Sequence, residues 1–241
     1  MKRGFVMDDK TAIILAGGKG TRLYPYTVAI PKPLVPVGEK PILEIMIIRL
    51  AKQGFKRLII TVNHQADIIM AYFGDGSKWG VSIEYSLEDK PLGTMGPIGL
   101  VKNLPEAFLV MNGDVMTDLD FTALLEDHIK SGELFTISCH KRTQKTDYGV
   151  LHVSDGILTG FEEKPVNDYL VSMGVYAVSR QVVDHIPNDI YYGFDDLMMA
   201  LLSDDIPVRV VEHQGYWMDI GRPDDYAKAT DDVENGRFDY V

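Results

Sequence analysis

Residues 11–22 read Thr-Ala-Ile-Ile-Leu-Ala-Gly-Gly-Lys-Gly-Thr-Arg, an apolar run that ends in a glycine-rich loop. The run at 11–15 has the length and the β-branched residues of a buried strand. The glycines let backbone N–H groups approach a phosphate, and Lys19 and Arg22 add positive charge beside them. We therefore predict that this loop, at the carboxyl end of a first parallel strand, binds a phosphorylated ligand.

Two common phosphate-binding motifs do not fit this loop. No stretch of the chain matches Gly-x-x-x-x-Gly-Lys-Ser/Thr. The dinucleotide fingerprint Gly-x-Gly-x-x-Gly fails because Leu23 stands where a third glycine should follow Gly18 and Gly20. The sequence thus speaks against a P-loop NTPase and against a nicotinamide-dependent dehydrogenase.

Strand-like and helical segments alternate through the first half of the chain. Predicted strands cover residues 11–15, 58–62, 81–85, 108–111 and 134–139, and predicted helices cover residues 42–50, 65–73 and 121–130. The second half is richer in strands, at 148–153, 157–162, 170–178 and 208–212, with helical pieces at 181–185, at 195–202 and from Pro223. This order predicts an α/β protein with a Rossmann-like, mostly parallel sheet flanked by helices and a β-rich C-terminal lobe.

Composition narrows the class of protein further. The 241 residues carry a net charge of −11, which speaks against nucleic-acid or anionic-membrane partners. The single cysteine, Cys139, excludes an intramolecular disulfide and fits a reducing cytoplasmic setting. Residues 1–10 are too short and too charged for a signal peptide, and we expect a loose extension there, with Met7 as an alternative start.

Eight short motifs appear in a fixed order along the chain. Leu-Ala-Gly-Gly-Lys-Gly-Thr-Arg-Leu at 15–23 is followed by Pro-Lys-Pro-Leu at 31–34. The others are Pro-Leu-Gly-Thr at 91–94, Met-Asn-Gly-Asp at 111–114, Tyr-Gly-Val at 148–150, Phe-Glu-Glu-Lys-Pro at 161–165, Met-Gly-Val-Tyr at 173–176 and Trp-Met-Asp-Ile-Gly at 217–221. The ordered set resembles the sugar-phosphate nucleotidylyltransferases, also called NDP-sugar pyrophosphorylases. Within them the chain looks most like short guanylyltransferases that act on mannose 1-phosphate or heptose 1-phosphate.

The resemblance implies a GT-A-like nucleotidyltransferase fold and a specific reaction. An NTP and a sugar 1-phosphate would give an NDP-sugar and pyrophosphate, by attack of the sugar phosphate on the α-phosphorus. No protein nucleophile is needed, so catalysis would consist of positioning and charge stabilisation. We expect one domain over residues 11–241, with a nucleotide-binding half at about 11–140 and a sugar-binding half at about 141–241.

The resemblance also implies roles for five charged residues. Arg22 would contact the β- and γ-phosphates, Lys32 the α-phosphate, and Lys164 the phosphate of the sugar. Asp114 and Asp219 would bind Mg²⁺, which takes oxygen ligands and usually one or two carboxylates.

The remaining expected contacts divide between nucleotide and sugar. The nucleotide-binding positions implied by the resemblance are Leu15, Ala16, Gly17, Gly18, Gly20, Thr21, Gly93, Thr94 and Gly113. Those implied for the sugar are Gly149, Glu163 and Ser172. Ser172 departs from the asparagine that many mannose- and heptose-type enzymes have, so the sugar stays open.

Other interpretations remain at this point. The base could be thymine, uracil or cytosine instead of guanine, because contacts to the base are partly made by the main chain. A catalytically silent nucleotide-sugar sensor on the same fold is a second class of function. The oligomeric state is open, and a homo-oligomer is compatible with the sequence.

Overall fold

The computed structural model describes residues 10–63 and 65–239 of the chain. The predicted extension at 1–10, with the alternative start Met7, therefore lies outside the described residues apart from Lys10. Lys10 is the first residue of a strand. No helix in the described part of the chain is long and apolar enough to cross a membrane.

The strands and helices of the described residues follow the alternation that the sequence predicts. The strands are β1 (Lys10–Leu15), β2 (Pro36–Val37), β3 (Lys40–Pro41), β4 (Phe55–Val62), β5 (Ser82–Leu87), β6 (Ala107–Asn112), β7 (Val115–Thr117), β8 (Phe135–Lys145), β9 (Gly149–Ser154), β10 (Ile157–Glu163), β11 (Val166–Ser179), β12 (Val208–Glu212) and β13 (Trp217–Asp219). The α-helices are α1 (Ile42–Lys52), α2 (Ala66–Phe73), α3 (Phe121–Ser131), α4 (Phe194–Ser203) and α5 (Pro223–Glu234).

A mixed sheet of seven strands forms the centre of the described structure, in the order β12-β8-β11-β6-β1-β4-β5. β1 pairs in parallel with β4 and β6, β4 pairs in parallel with β5, and β12 does so with β8. Only β11 runs against its neighbours β6 and β8. The mostly parallel sheet that the sequence predicts is therefore confirmed.

Alternating side chains of the central strands pack on opposite faces of the sheet. Ile14 of β1 packs in one core cluster with Leu43 of α1, while Ile13 packs in another with Leu197 of α4. All four side chains are fully buried. Two covered faces explain why the central strands read as continuous apolar runs.

The structure extends some predicted elements. β11 begins at Val166, four residues before the predicted start, because its exposed first half pairs with an equally exposed extension of β8 up to Lys145. The segment predicted as helical at 181–185 forms a 3-10 helix, Arg180–His185. The exposed residues of the β8–β11 ribbon lack the apolar periodicity on which sequence interpretation depends.

Two small pairings outside the central sheet matter for function. β9 and β10 form a hairpin whose turn holds Asp155 and Gly156 at positive φ, as the sequence Ser-Asp-Gly predicts. β7 and β13 pair in antiparallel fashion and place Val115 opposite Asp219. The second pairing joins segments that are distant in sequence.

Candidate active site

A pocket of about 410 Å³ lies where the parallel strands β1, β4 and β6 end. Its wall contains all nine residues that the resemblance implies for nucleotide binding, namely Leu15, Ala16, Gly17, Gly18, Gly20, Thr21, Gly93, Thr94 and Gly113. Arg22, Lys32 and Asp114 also line it. The volume is within the usual range for small-molecule sites, and the carboxyl ends of parallel strands are where α/β proteins bind ligands.

The glycine loop is shaped by close contact with the segment that carries Lys32. Gly20 has a positive φ of 63°, and a β-carbon on it would lie only 2.9 Å from Cβ of Lys32. The hydroxyl of Thr27 donates to the carbonyl of Gly20 at 2.9 Å. A glycine at position 20 thus lets the two loops meet at one side of the pocket.

Two further glycines hold the walls of the pocket together. The N–H of Gly113 donates to the carbonyl of Leu15 at 2.9 Å, which ties the end of β6 to the end of β1. Gly93 has φ 81°, and a β-carbon there would come within 2.7 Å of the carbonyl oxygen of Tyr192. The neighbouring Thr94 uses its hydroxyl to accept the N–H of Phe194 at 2.7 Å, at the start of α4.

A pair of carboxylates lies at the edge of the pocket. The β7–β13 pairing brings Asp219 to Asp114, and the N–H of Ile220 donates to the carbonyl of Asp114 at 3.0 Å. The two carboxyl groups lie within hydrogen-bonding reach of each other. Burial first, and the charge of Asp114 second, raise the pKa of Asp219 to about 6.

Two cations neighbour these carboxylates. The ammonium group of Lys32 forms an ion pair with Asp114, and both side chains are largely buried. Arg22 lies close enough to Asp219 to oppose the rise in its pKa, and its guanidinium group borders Gly221. Each of the two neighbouring carboxylates therefore has a cation beside it, Lys32 next to Asp114 and Arg22 next to Asp219.

The carboxylate pair suits a divalent cation of the Mg²⁺ type. Among the described residues no cluster of three or more His, Cys, Asp or Glu side chains is placed to hold a metal ion. Mg²⁺ is commonly held by one or two carboxylates together with substrate phosphates and water. Asp114 and Asp219 fit that donor set, and the mutual proximity of two carboxylates is unfavourable without a cation.

The residues expected to contact the sugar lie on other elements, and the described lining of the pocket includes none of them. Gly149 of β9 and Glu163 of β10 are direct partners in the hairpin, and Lys164 follows with φ 47°. All three are exposed. The structure thus brings these three together at the base of the hairpin, and it places Ser172 elsewhere, on β11.

Ser172 forms a hydrogen bond with Tyr176, a buried residue on the same strand. The two hydroxyl groups are 3.0 Å apart, and Ser172 also accepts the N–H of Gly174 at 3.2 Å. Burial raises the pKa of Tyr176 to about 12, with a smaller contribution from the charge of Asp114. Ser172 therefore lies on the Asp114 side of the molecule.

The chain matches a known protein family over most of its length. The profile of a family described as "Nucleotidyl transferase" matches residues 11–236. The chain belongs to the nucleotidyl transferase family. That membership agrees with the resemblance drawn from the ordered motifs.

Individual members of the family show similarity over nearly the whole chain. The chain is 34% identical to the UTP–glucose-1-phosphate uridylyltransferase of Synechocystis sp. and 35% identical to the mannose-1-phosphate guanyltransferase of Yarrowia lipolytica. Each match covers 90% of this chain and 62% of the relative, so the chain spans less than two thirds of the length of these curated relatives. The crystal structure of HddC from Yersinia pseudotuberculosis complexed with GMP-PN has a TM-score of 0.72 at 26% identity, covering 93% of this chain and 99% of that one.

Three residues of the pocket lie outside every motif found in the sequence, and sequence reasoning missed them. They are Thr61 at the end of β4, Glu88 just after β5, and the exposed Tyr191. Thr61 reads as part of a strand core, and Glu88 stands in a polar segment typical of a turn. Neither position carries a motif, so only their place at the strand ends could have indicated them.

The carboxylate of Glu88 faces the glycine loop. Its Oε2 accepts the N–H of Leu92 at 3.1 Å, and a β-carbon on Gly17 would lie 2.5 Å from its Oε1. Burial raises the pKa of Glu88, with the Leu92 hydrogen bond opposing that rise. The carboxylate is thus a hydrogen-bond acceptor between the Gly17 and Leu92 walls.

Proposed function

We propose that the protein transfers a nucleotidyl group from an NTP, with GTP as the best candidate, to a sugar 1-phosphate of the mannose or heptose type. The products are an NDP-sugar and pyrophosphate. The observation that carries this proposal is the pocket at the strand ends, whose glycine loop, Arg22 and Lys32 adjoin the Asp114–Asp219 pair. Family membership supports the class of reaction.

The residues of the pocket would act by positioning and by charge. Backbone groups of residues 15–18 hold the base and ribose, and Arg22 contacts the β- and γ-phosphates and stabilises the departing pyrophosphate. Lys32 neutralises the α-phosphate as the sugar phosphate oxygen attacks it in line. Preorganised cations aimed at developing charge supply most of the stabilisation in such reactions.

Asp114 and Asp219 would hold Mg²⁺. The ion, when bound, supplies positive charge that offsets the repulsion between two phosphate groups and favours the leaving pyrophosphate. In its absence Lys32 balances the charge of Asp114.

The sugar phosphate would bind on the side of the β9–β10 hairpin. Lys164 grips the phosphate of the sugar, and Gly149, Glu163 and Ser172 contact the sugar itself. Ser172 bonds Tyr176, whose pKa is raised in part by the charge of Asp114, and this supports a sugar position on the side of the carboxylate pair.

Guanine is favoured over other bases by the names of relatives. The Yarrowia lipolytica relative is a mannose-1-phosphate guanyltransferase, and the HddC structure is a complex with GMP-PN. The Synechocystis relative, a UTP–glucose-1-phosphate uridylyltransferase, supports UTP as the second candidate. A silent sensor is the least favoured function, because the charged residues of the reaction are all retained.

The test is pyrophosphate release in a grid of GTP, UTP, dTTP, CTP and ATP against mannose, heptose and glucose 1-phosphates, with Mg²⁺ or Mn²⁺. We expect the largest kcat/KM with GTP and a mannose- or heptose-type phosphate. Higher activity with UTP would overturn the base assignment alone. Absence of product in every combination would overturn the enzyme assignment.

Three broader features belong to the proposal as well. A cytoplasmic location is supported by the free and buried Cys139. The division into a nucleotide-binding half at about 11–140 and a sugar-binding half at about 141–241 follows the placement of the two sets of residues. Measurement of the mass in solution tests whether the protein assembles into a homo-oligomer.

A further inference from the structure

Tyr191 is an exposed aromatic residue in the wall of the nucleotide pocket. It lines the pocket and is 68% exposed. Within the described part of the chain its ring has no aromatic or cationic neighbour, and its hydroxyl group forms no hydrogen bond. The neighbouring Tyr192 differs, because it packs against a buried cluster and its hydroxyl donates to the carbonyl of Asp196 at 3.3 Å. The ring of Tyr191 is therefore accessible to a group that enters the pocket.

The backbone next to Tyr191 is fixed against the wall of the pocket. The N–H of Tyr192 donates to the carbonyl of Leu92 at 2.9 Å. The carbonyl of Tyr192 accepts the N–H groups of Met95 and Gly96, each at 3.0 Å. Because these bonds hold the main chain beside Tyr191 in the ligand-free protein, little backbone entropy is lost when the ring takes up a ligand.

The wall that Tyr191 joins suits a flat, uncharged part of a nucleotide. Arg22 and Lys32 are the cations of the described lining, and both lie beside the carboxylate pair. The wall at Leu92 and Gly93 therefore offers no cation to a phosphate group. A tyrosine ring packs well on another planar ring, and the base is the part of an NTP that has one.

We propose that the ring of Tyr191 stacks on the base of the bound NTP and so strengthens the binding of every nucleotide. The inference rests on the proposed function and adds a nucleotide-binding residue that no motif contains. Stacking uses the face of a base, and every base has such a face, so this contact does not by itself select guanine. Selection among the bases is then left to groups that meet the edge of the base.

Steady-state kinetics of Tyr191→Ala and Tyr191→Phe test this contact. We expect Tyr191→Ala to raise the KM for GTP by about tenfold, with kcat and the KM for the sugar 1-phosphate unchanged. The KM for any second NTP that reacts should rise by a similar factor. Tyr191→Phe should keep the wild-type constants, because phenylalanine retains the aromatic face and loses only the hydroxyl group. The melting temperature of both variants should stay unchanged, since the ring is exposed.

Ile190→Ala is the matched control. Ile190 precedes Tyr191 in the same segment, is 51% exposed and is not part of the described lining of the pocket. This variant should leave the three kinetic constants unchanged. Equal losses in Ile190→Ala and Tyr191→Ala would indicate a disturbed segment and would overturn the proposal. An unchanged KM for GTP in Tyr191→Ala would also overturn it, and a raised KM for the sugar 1-phosphate alone would move the contact to the sugar.

A binding experiment separates the failure of this inference from the failure of the proposed function. If the wild-type protein releases no pyrophosphate with any NTP, the enzyme assignment is wrong, and calorimetry still measures the Kd values for GTP and for inorganic tripolyphosphate, which has no base. We expect Tyr191→Ala to bind GTP about tenfold more weakly and tripolyphosphate as the wild type does, with Tyr191→Phe unchanged for both. Equal weakening of both ligands, no change for either, or a wild-type protein that does not bind GTP would overturn the stacking of Tyr191 on the base.

Discussion

The nucleotide pocket and the β9–β10 hairpin present their predicted ligand-binding residues in opposite surroundings. The pocket residues stand at the ends of buried strands and are tied together by backbone bonds such as that between Gly113 and Leu15. Gly149, Glu163 and Lys164 stand on a two-stranded hairpin whose residues are mostly exposed. The pocket is therefore rigidly formed by the fold itself.

This contrast indicates what each region contributes. A two-stranded hairpin has little stability of its own, and exposed charges contribute little to the stability of the rest. Substitutions on the hairpin should therefore alter sugar binding without altering stability. Substitutions in the pocket should alter both, because there the same contacts support the fold and the ligand.

The largest expected effect concerns the two carboxylates at the edge of the pocket, Asp114 and Asp219. We expect Asp114→Asn and Asp219→Asn each to lower kcat by about 10³-fold or more, since each removes a charge that would hold the divalent cation. Steady-state kinetics over a range of Mg²⁺ concentrations measure this, and a higher Mg²⁺ requirement should accompany the loss. Full activity in both variants would remove the carboxylate pair from the mechanism.

The same substitution at position 219 should stabilise the metal-free protein. Because burial and Asp114 raise the pKa of Asp219 to about 6, its ionised form is disfavoured in the folded state at pH 7. Asp219→Asn should raise the free energy of unfolding at pH 7 by about 1–3 kcal/mol. This gain in the free energy of unfolding should shrink as the pH falls from about 6 toward 4, because the carboxyl of Asp219 in the wild-type protein then binds a proton. Denaturant titrations of both proteins with EDTA at pH 7 and pH 4.5 test the sign of the effect.

The next largest effect is expected from removing the charge of Arg22 or of Lys32. Arg22→Ala and Lys32→Ala should each lower kcat/KM by about 10²-fold, because a preorganised charge stabiliser is typically worth on the order of 3–4 kcal/mol. Lys19→Ala is the matched control. Lys19 is an exposed residue of the same glycine loop, and the described wall of the pocket does not include it. Equal losses in all three variants would indicate a general charge effect instead of specific contacts.

A smaller effect is expected on the hairpin. Lys164→Ala and Glu163→Gln should raise the KM for the sugar 1-phosphate by about tenfold, with the KM for the NTP and the melting temperature unchanged. Glu162→Gln serves as control, because Glu162 is bonded to His152 at 2.8 Å on the opposite face of the hairpin. A raised KM for the NTP would contradict the separation of the two regions.

The smallest effect tests the rigidity of the pocket. Gly93→Ala should lower the free energy of unfolding by about 1–3 kcal/mol, because φ is positive and the new methyl group would meet the carbonyl of Tyr192. It should also raise the KM for the NTP. Gly18→Ala, with nothing within 4 Å of the added carbon, should leave stability within about 0.5 kcal/mol of the wild type. Thermal melts of the two variants compare a crowded and an open glycine of one pocket.

Much of the fold follows from local pattern. Leu15, Val62 and Asn112 each end an apolar run that is long enough to identify a parallel strand. Pro41 and Gly74 mark helix boundaries. The first four residues of β11, at 166–169, escaped detection because their side chains are exposed. Apolar periodicity in a sequence reflects the burial of one face, so an exposed ribbon does not show it.

The candidate site divides in the same way. The glycine loop and the lysine between two prolines could be recognised from sequence, because phosphate binding needs backbone N–H groups and cations at short spacing. Thr61 and Glu88 could not be recognised from sequence, since neither stands in a motif. Their significance comes from the β4–β5 register, which places them on one wall of the pocket.

By itself the sequence determined the order of strands and helices, the glycine-rich loop and the family, because these depend on residues close together along the chain. Only the tertiary structure decided that Asp219 lies beside Asp114, through the pairing of β7 with β13. It also decided that Thr61, a residue within a strand, and Glu88, just after the next strand, line one wall of the pocket. Such placements depend on contacts between distant segments, which form only when burial of the whole core fixes the register of the strands.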